Sequence, residues 1–176
     1  DEIFSGTKAQ ISIKTRIGRD DPEEFHRLLG IYNQYPLKEL IIHPRVQKDF
    51  YKNKPNLEVF GEAAKANVCP LCYNGDICTR ADAAAIEERF PEVTACMVGR
   101  GIIANPGFLG EIQGRGKTSR EQLRRFHDRL YEEYRSLNMG DKNVLFKMKE
   151  VWCYLGQSFL GCEKQLKQIK KAEKTD

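Results

Sequence analysis

The sequence predicts an α/β chain: a parallel sheet made from four consecutive βα units, followed by a small all-α helical bundle. Two observations carry that reading. Through the first two thirds, short apolar runs rich in β-branched residues alternate with longer amphipathic segments, a pattern that favours parallel strands with right-handed crossovers. From Ser119 onward the strand signals stop and the apolar spacing becomes helical.

Taken in order, Ile11 to Ile17 reads as the first strand. Asp20-Asp21-Pro22-Glu23-Glu24 then offers acidic capping residues and a first-turn proline, and Phe25, Leu28, Leu29 and Tyr32 recur at helical spacing up to Tyr35-Pro36. Leu40 to His43 is the second strand, Pro55 to Ala66 the second helix and Val68 to Tyr73 the third strand. Thr79 is placed to cap a helix running to Phe90, Val93 to Val98 is the fourth strand, and a short helix follows Asn105-Pro106. Gly114-Arg115-Gly116 is the expected joint, which divides the chain into residues 1–115 and 116–176. Beyond it, Leu123, Phe126, Leu130, Tyr131 and Tyr134 mark one helical stripe, Val144 to Leu155 a second, and Phe159, Leu166 and Ile169 a third. Residues 170–176 are expected to fray.

Composition sets outer bounds. The 176 residues are 40% hydrophobic and 31% charged with a net charge of +4, the profile of a soluble globular chain holding one domain, or an incomplete domain with an appendage. No run approaches the roughly 18 apolar residues of a membrane span, and no secretory signal opens the chain, which places it in the cytoplasm without membrane partners. Six cysteines are too few for a disulfide scaffold and read as reduced thiols. The missing initiator Met, and an opening from Asp1 to Gly6 that reads as a continuation, predict that the chain is cut from a longer protein. The charge is uneven: residues 1–115 carry 15 basic and 16 acidic side chains, and residues 116–176 carry 14 and 9.

Polar residues and glycines gather at the C-terminal end of each predicted strand: Lys14-Thr15-Arg16, His43-Pro44-Arg45, Asn74-Gly75-Asp76 and Gly99-Arg100-Gly101. In parallel α/β folds ligands bind at that edge, where loops and helix N-termini converge. Lys14, His43 and Arg100 on three strand ends form a cationic rim suited to a phosphorylated ligand. Gly75, Gly99 and Gly101 leave backbone N–H groups open to an anion. Other polar residues point elsewhere. Cys69-x-x-Cys72 with Cys78 lacks the second pair of a zinc site, so no metal is expected. His26 and His127 read as surface histidines, Asp20-Asp21 and Glu87-Glu88 as helix-end charges, and no nucleophile, base and orienter assemble into one constellation.

Four segments together, Ile13-Lys14-Thr15-Arg16-Ile17-Gly18, Ile42-His43-Pro44-Arg45, Cys72-Tyr73-Asn74-Gly75-Asp76-Ile77 and Met97-Val98-Gly99-Arg100-Gly101, closely resemble the second half of the tRNA-dihydrouridine synthases. The resemblance implies the C-terminal half of a TIM (β/α)8 barrel, strands five to eight, followed by a helical domain that grips tRNA. It further implies FMN as cofactor and NADPH as its reductant in the reduction of a uridine to dihydrouridine. By position, Lys14 contacts the flavin ring system and His43 lies on its phosphate side. Asn74, Gly75, Asp76, Gly99 and Arg100 build the loops that hold the ribityl phosphate. Arg16 and Arg45 are candidates for flavin or RNA phosphate, and Arg120, Arg124, Arg125, Lys147, Lys149, Lys164 and Lys167 for tRNA. The family's proton-donor cysteine follows the fourth barrel strand and so falls before Asp1; Cys69, inside a later strand, is not its equivalent, and the chain alone is expected to be inactive. Four strands cannot close a barrel, so Ile11, Ile13, Ile41 and Val98 are expected to be exposed and to drive self-association. Two further readings stay open: another FMN-dependent TIM-barrel oxidoreductase acting on a small molecule, as in dihydroorotate dehydrogenases, and a non-catalytic RNA-binding module.

Overall fold

A computed structural model of the chain describes residues 2–174. They form two compact units, residues 2–76 with 83–98 and residues 77–82 with 99–174.

The first unit is built on a four-stranded parallel sheet, β1 (Ser12–Arg16), β2 (Glu39–His43), β3 (Leu71–Tyr73) and β4 (Ala95–Cys96), whose spatial order equals its sequence order. Helices α1 (Glu2–Gly6), α2 (Glu24–Tyr32), α3 (Leu57–Ala66) and, from Ala83 onward, α4 (Arg80–Arg89) precede and separate the strands. Consecutive βα units account for the order, since each helix returns the chain to start the next parallel strand beside the last.

Register assigns the faces. Ile13 lies opposite Leu40, Lys14 opposite Ile41, Arg16 opposite His43, and Ile41 opposite Cys72. Because strand side chains alternate with period two, Leu40, Ile42, Leu71 and Tyr73 share one face and are buried there. Helix α3 closes that face: Phe60 meets Tyr73 edge-on with ring centroids 4.9 Å apart, and meets Phe90 at the same spacing. Such pairs add about 0.5–1.5 kcal/mol each beyond the area they bury. Lys14, Arg16, Ile41, His43 and Cys72 share the opposite face. Two expectations are corrected here. Ile41 is only 8% exposed, since it sits on an inner strand between Lys14 and Cys72. Ile11, Ile13 and Val98, also expected to be exposed, are half-buried, and Ile13 lies on the face opposite Ile41 because one residue of offset turns a side chain to the other side of the sheet.

Local sequence explains the element ends. The Glu24 carboxylate accepts the backbone N–H groups of Arg19, Asp20 and Asp21 at 3.2, 2.8 and 2.8 Å, closing the turn before α2. Asn56 caps α3 by accepting from Glu58 and Val59 N–H. Thr79 and Asp82 exchange side-chain to backbone hydrogen bonds at the start of α4, as the threonine predicts. The third strand begins at Leu71, three residues later than the apolar run suggests, because Pro70 has no N–H to place in the ladder; its carbonyl still accepts from Leu40 at 2.9 Å. The fourth is shorter than its apolar run as well, although Thr94 N–H donates to Leu71 O and Met97 N–H to Tyr73 O on either side of it.

The second unit holds α5 (Arg100–Ala104), α6 (Phe108–Ile112), α7 (Arg120–Ser136), α8 (Asp141–Leu155) and α9 (Glu163–Lys171). Gly99-Arg100-Gly101, read above as a strand-end loop, instead starts a helix; it ends at Ala104 because Asn105, before Pro106, is held extended at φ −137° and ψ 94°. Ser119 and Gln122 form a reciprocal cap that starts α7. Leu123, Val151 and Leu155 form a core lined by Phe126, Leu130, Trp152 and Phe159. Helix α5, which precedes Gly114, packs against α8, and Ser158 Oγ donates to Ala104 O at 2.5 Å. The joint itself is bridged. Glu111 Oε1 accepts from Asn105 Nδ2 at 2.9 Å and from Thr118 N–H at 2.7 Å, across Gly114 and Gly116, both at positive φ. These bonds hold the Glu111 carboxyl below its ordinary range, the Thr118 N–H contributing most. Of residues 170–176, expected to fray, Lys170 and Lys171 belong to α9, and Thr175 and Asp176 lie outside the described residues. Among the described residues no helix is long and apolar enough to cross a membrane.

Gly101 gives a direct test of packing in this unit. A Cβ there would stand 2.4 Å from the Ile77 carbonyl oxygen, so Gly101→Ala is expected to lose about 1–3 kcal/mol despite the better helix propensity of alanine. Urea unfolding should show a lower midpoint with an unchanged slope; a midpoint at or above the parent value would contradict the packing described.

Candidate functional site

The C-terminal edge of the first unit's sheet concentrates charge. Register alone puts Arg16, the last residue of β1, beside His43, the last of β2, with Lys14 one step back on the same face. Lys14 is exposed, and among the described residues its ammonium has no hydrogen-bond or ion-pair partner. A cation on that face, near other cations and without a paired anion, is a place for an anionic or electron-rich ligand atom.

Arg45 organises the edge. It is 2% exposed, and its guanidinium donors are committed: Nε to Asn53 O at 2.6 Å, one terminal nitrogen to Asp76 Oδ1 at 3.0 Å and to His43 Nε2 at 3.1 Å, and the other to Asp76 Oδ2. The two-point Arg45–Asp76 pair is the geometry in which carboxylate and guanidinium match best. Asp76 reaches it from a backbone at φ 41°, a conformation that costs energy outside glycine and persists only where surrounding contacts enforce it. Before it, Gly75 is buried, and a Cβ there would meet the Tyr73 hydroxyl at 2.8 Å. Asn74 Nδ2 donates to Met97 O at 2.8 Å, tying the end of β3 to the strand beyond.

The loop after β2 is held from the other side. Arg16 donates to Val46 O at 2.8 Å and to Phe50 O at 3.3 Å, and its guanidinium lies 5.7 Å from the Tyr51 ring centroid. Tyr51 in turn lies 6.1 Å from the His43 ring. Phe50 adopts φ 50° and is exposed with Tyr51. Sequence reasoning missed this turn. The available signal was the aromatic pair in Asp49-Phe50-Tyr51-Lys52, a polar stretch with no core to fill.

Electrostatics at the edge follow from burial. The imidazole of His43 is pushed down to about 4, first by burial and then by the charges of Arg16, Arg45 and Lys14, with Asp76 opposing. The Cys72 thiol is pushed up to about 11, chiefly by burial, and Cys96 moves the same way for the same reason. Both are protonated and unreactive at neutral pH. Among the described residues no three His, Cys, Asp or Glu side chains gather to hold a metal.

The expected site residues therefore divide. Lys14, His43, Asn74, Gly75 and Asp76 are brought to one edge of the first unit, while Gly99 and Arg100 belong to the second, as the cap and first residue of α5. Arg45, expected to face phosphate, is consumed by Asp76 and His43. Of the expected RNA cations, Arg120 and Arg124 line a groove with His127, Trp152 and Phe159, and a neighbouring groove shares His127 and Trp152 and adds Lys149 and Tyr131. Arg125 and Lys147 line neither groove. Arg124, Arg125 and Lys147 make exposed helical ion pairs with Asp128, Glu121 and Glu150 at 3.5, 4.0 and 3.4 Å, contacts weak enough to be exchanged for phosphate.

A parallel sheet with its polar residues at the C-terminal strand ends defines an α/β protein of the class that binds ligands at that edge. The family model for dihydrouridine synthase matches residues 2–173, and the chain belongs to that family. It is 32% identical over 143 residues to "Probable tRNA-dihydrouridine synthase 2" of Bacillus subtilis, and 33% identical over 144 residues to "Probable tRNA-dihydrouridine synthase" of Staphylococcus aureus and of Staphylococcus epidermidis. Each alignment covers 76% of this chain and 43% of the relative, so the chain spans less than half the length of these proteins.

The low value at His43 makes stability depend on pH. Folded His43 stays neutral down to about 4, whereas an ordinary unfolded histidine takes its proton near 6.5, so between those values the unfolded chain binds the extra proton. Stability is then lost as pH falls from about 6.5 to about 4. His43→Gln should flatten that part of the pH profile of unfolding; a variant retaining the full slope would locate the effect in other groups.

Proposed function

We propose that the chain is the C-terminal half of a flavin-dependent tRNA-dihydrouridine synthase, acting in the cytoplasm to reduce uridine in tRNA to dihydrouridine. The four parallel strands are read as strands five to eight of a (β/α)8 barrel, with residues 116–176 as the tRNA-binding helical domain. The observation that carries the reading is the family match over residues 2–173, together with the unpaired Lys14 and the neutral His43 on one sheet edge.

The residues present fit FMN. Lys14 supplies a free cation on the face that would meet the flavin and His43 a neutral polar ring beside it, while Asn74, tied to Met97 O, and Gly75, packed under the Tyr73 hydroxyl, hold the turn that carries Asp76. Gly99 and Arg100 are proposed for the phosphate on their motif alone. Bound FMN supplies hydride transfer, with NADPH as the reductant. The chain's own part is to bind and orient: Lys14 neutralises developing negative charge on its ligand, and the pair between buried Arg45 and Asp76 keeps the loops after β2 and β3 in place. None of the six cysteines, Cys72 and Cys96 included, occupies the family's proton-donor position. The donor cysteine belongs to the part of the family fold that these residues do not span, as do the remaining flavin contacts, and the chain alone is inactive in this reading. The sheet face bearing Lys14 and Ile41 is where those strands, or a second copy of the chain, would pack.

Two measurements test the reading. Titrating FMN with the chain should quench flavin fluorescence saturably, and Lys14→Ala should weaken binding at least tenfold; equal quenching by the variant would remove Lys14 from the site. Binding of tRNA should fall steeply as salt rises, and Arg120→Ala/Arg124→Ala should reduce the slope of log affinity against log salt by about 2. A salt-insensitive affinity would remove the second unit's cations from the RNA interface.

A further inference from the structure

His43 makes one contact that fixes its chemistry. A guanidinium nitrogen only donates, so the Arg45 nitrogen 3.1 Å from His43 Nε2 requires a lone pair on Nε2. The ring proton must then sit on Nδ1. Free imidazole prefers the opposite tautomer, with the proton on Nε2, so the preference has to be imposed by the surroundings. Arg45 imposes it only if its own fork cannot turn away. Asp76 takes both terminal nitrogens, Asn53 O takes Nε, and burial at 2% exposure removes water as an alternative partner. The positive φ of Asp76 then has a function, since it aims the carboxylate at the guanidinium.

We propose that Arg45 and Asp76 are positioning residues that lock His43 as the neutral Nδ1–H tautomer, so that this sheet edge offers its ligand a single imidazole N–H donor and no proton. The donor suits an oxygen acceptor, either a phosphate oxygen of a flavin nucleotide or a carbonyl oxygen of a pyrimidine. Every charged group facing His43 works in the same sense except one. Lys14 and Arg16 on β1 and Arg45 after β2 oppose a second proton, and Asp76 after β3, which alone would favour it, is already neutralised by Arg45. The ligand half of the proposal rests on the flavin reading above; the tautomer does not.

The test is nitrogen-15 NMR of the histidine-labelled chain, whose three histidines are His26, His43 and His127, with His43→Gln to assign the signals. At pH 7 the His43 ring should show a protonated Nδ1 and a bare Nε2, and should remain singly protonated at pH 5.5. Arg45→Met should move the proton to Nε2, and Arg45→Lys, which retains a donor, should leave it on Nδ1. A wild-type ring protonated at Nε2, or doubly protonated at pH 5.5, would overturn the proposal, as would a folded Arg45→Met chain with an unchanged tautomer. If Arg45→Met fails to fold, the wild-type and Arg45→Lys spectra still decide. Adding FMN, and separately uridine, separates the two readings. A shifted Nδ1 resonance identifies the acceptor; an Nδ1–H ring that responds to neither ligand overturns the ligand half and leaves the positioning intact. FMN binding with the wrong tautomer overturns the positioning and leaves the flavin reading standing.

Discussion

The guanidinium of Arg45 joins three pieces of chain that share no strand pairing at that level: the end of β2 through His43, the loop beyond it through Asn53, and the turn after β3 through Asp76. The Arg45 end of this pair is buried while the Asp76 side chain is 39% exposed, so the pair adds little net stability compared with apolar packing, yet removing Asp76 would leave a buried guanidinium without its counter-charge. The value of the pair lies in geometry. With the fork fixed, the strained Asp76 backbone, the glycine before it and the orientation of His43 are all determined together, and the ligand edge is set by one side chain that no ligand could touch.

That side chain shows what sequence can and cannot reveal. Strand ends bearing Lys14, Arg16, His43 and Asp76 were readable from the βα alternation, and the ordered motifs identified the family. Arg45 was visible only as another basic residue near a strand end, one proline beyond His43. Its burial depends on Asp76, 31 positions away, and no local pattern encodes a pairing across that separation. The same limit applies to Ile13 and Ile41. Both look like core residues of parallel strands, but their faces are fixed by register, which emerges when the strands pair.

Helix ends were the most legible features because their causes are local. Thr79, expected as the cap of α4, acts within four residues of the groups it binds, and the unforeseen Ser119–Gln122 cap and the break before Pro106 are equally local. What escaped was the helix beginning at Arg100, since two glycines flanking an arginine read as loop. Gly101 is tolerated within that helix because the Ile77 carbonyl leaves no room for a side chain, so a contact from elsewhere in the chain reverses the usual meaning of the residue. The charge excess after residue 116 was likewise countable in advance, but only the folded second unit gathers Arg120, Arg124 and Lys149 around Trp152 and leaves Arg125 and Lys147 outside.

The Glu111 carboxylate, which reaches across Gly114 and Gly116 to Thr118, bears on how this chain comes apart. Arg115 and Lys117 are exposed within the bridged segment, where a trypsin-like protease would cut. Because Glu111 and Asn105 hold Thr118 from one side of such a cut, and α5 stays packed on α8 through contacts that do not pass through the joint, a nicked molecule would migrate as two bands only after denaturation. The glycines at this joint act as a clasped corner, and cleavage there would leave the second unit assembled from two chains.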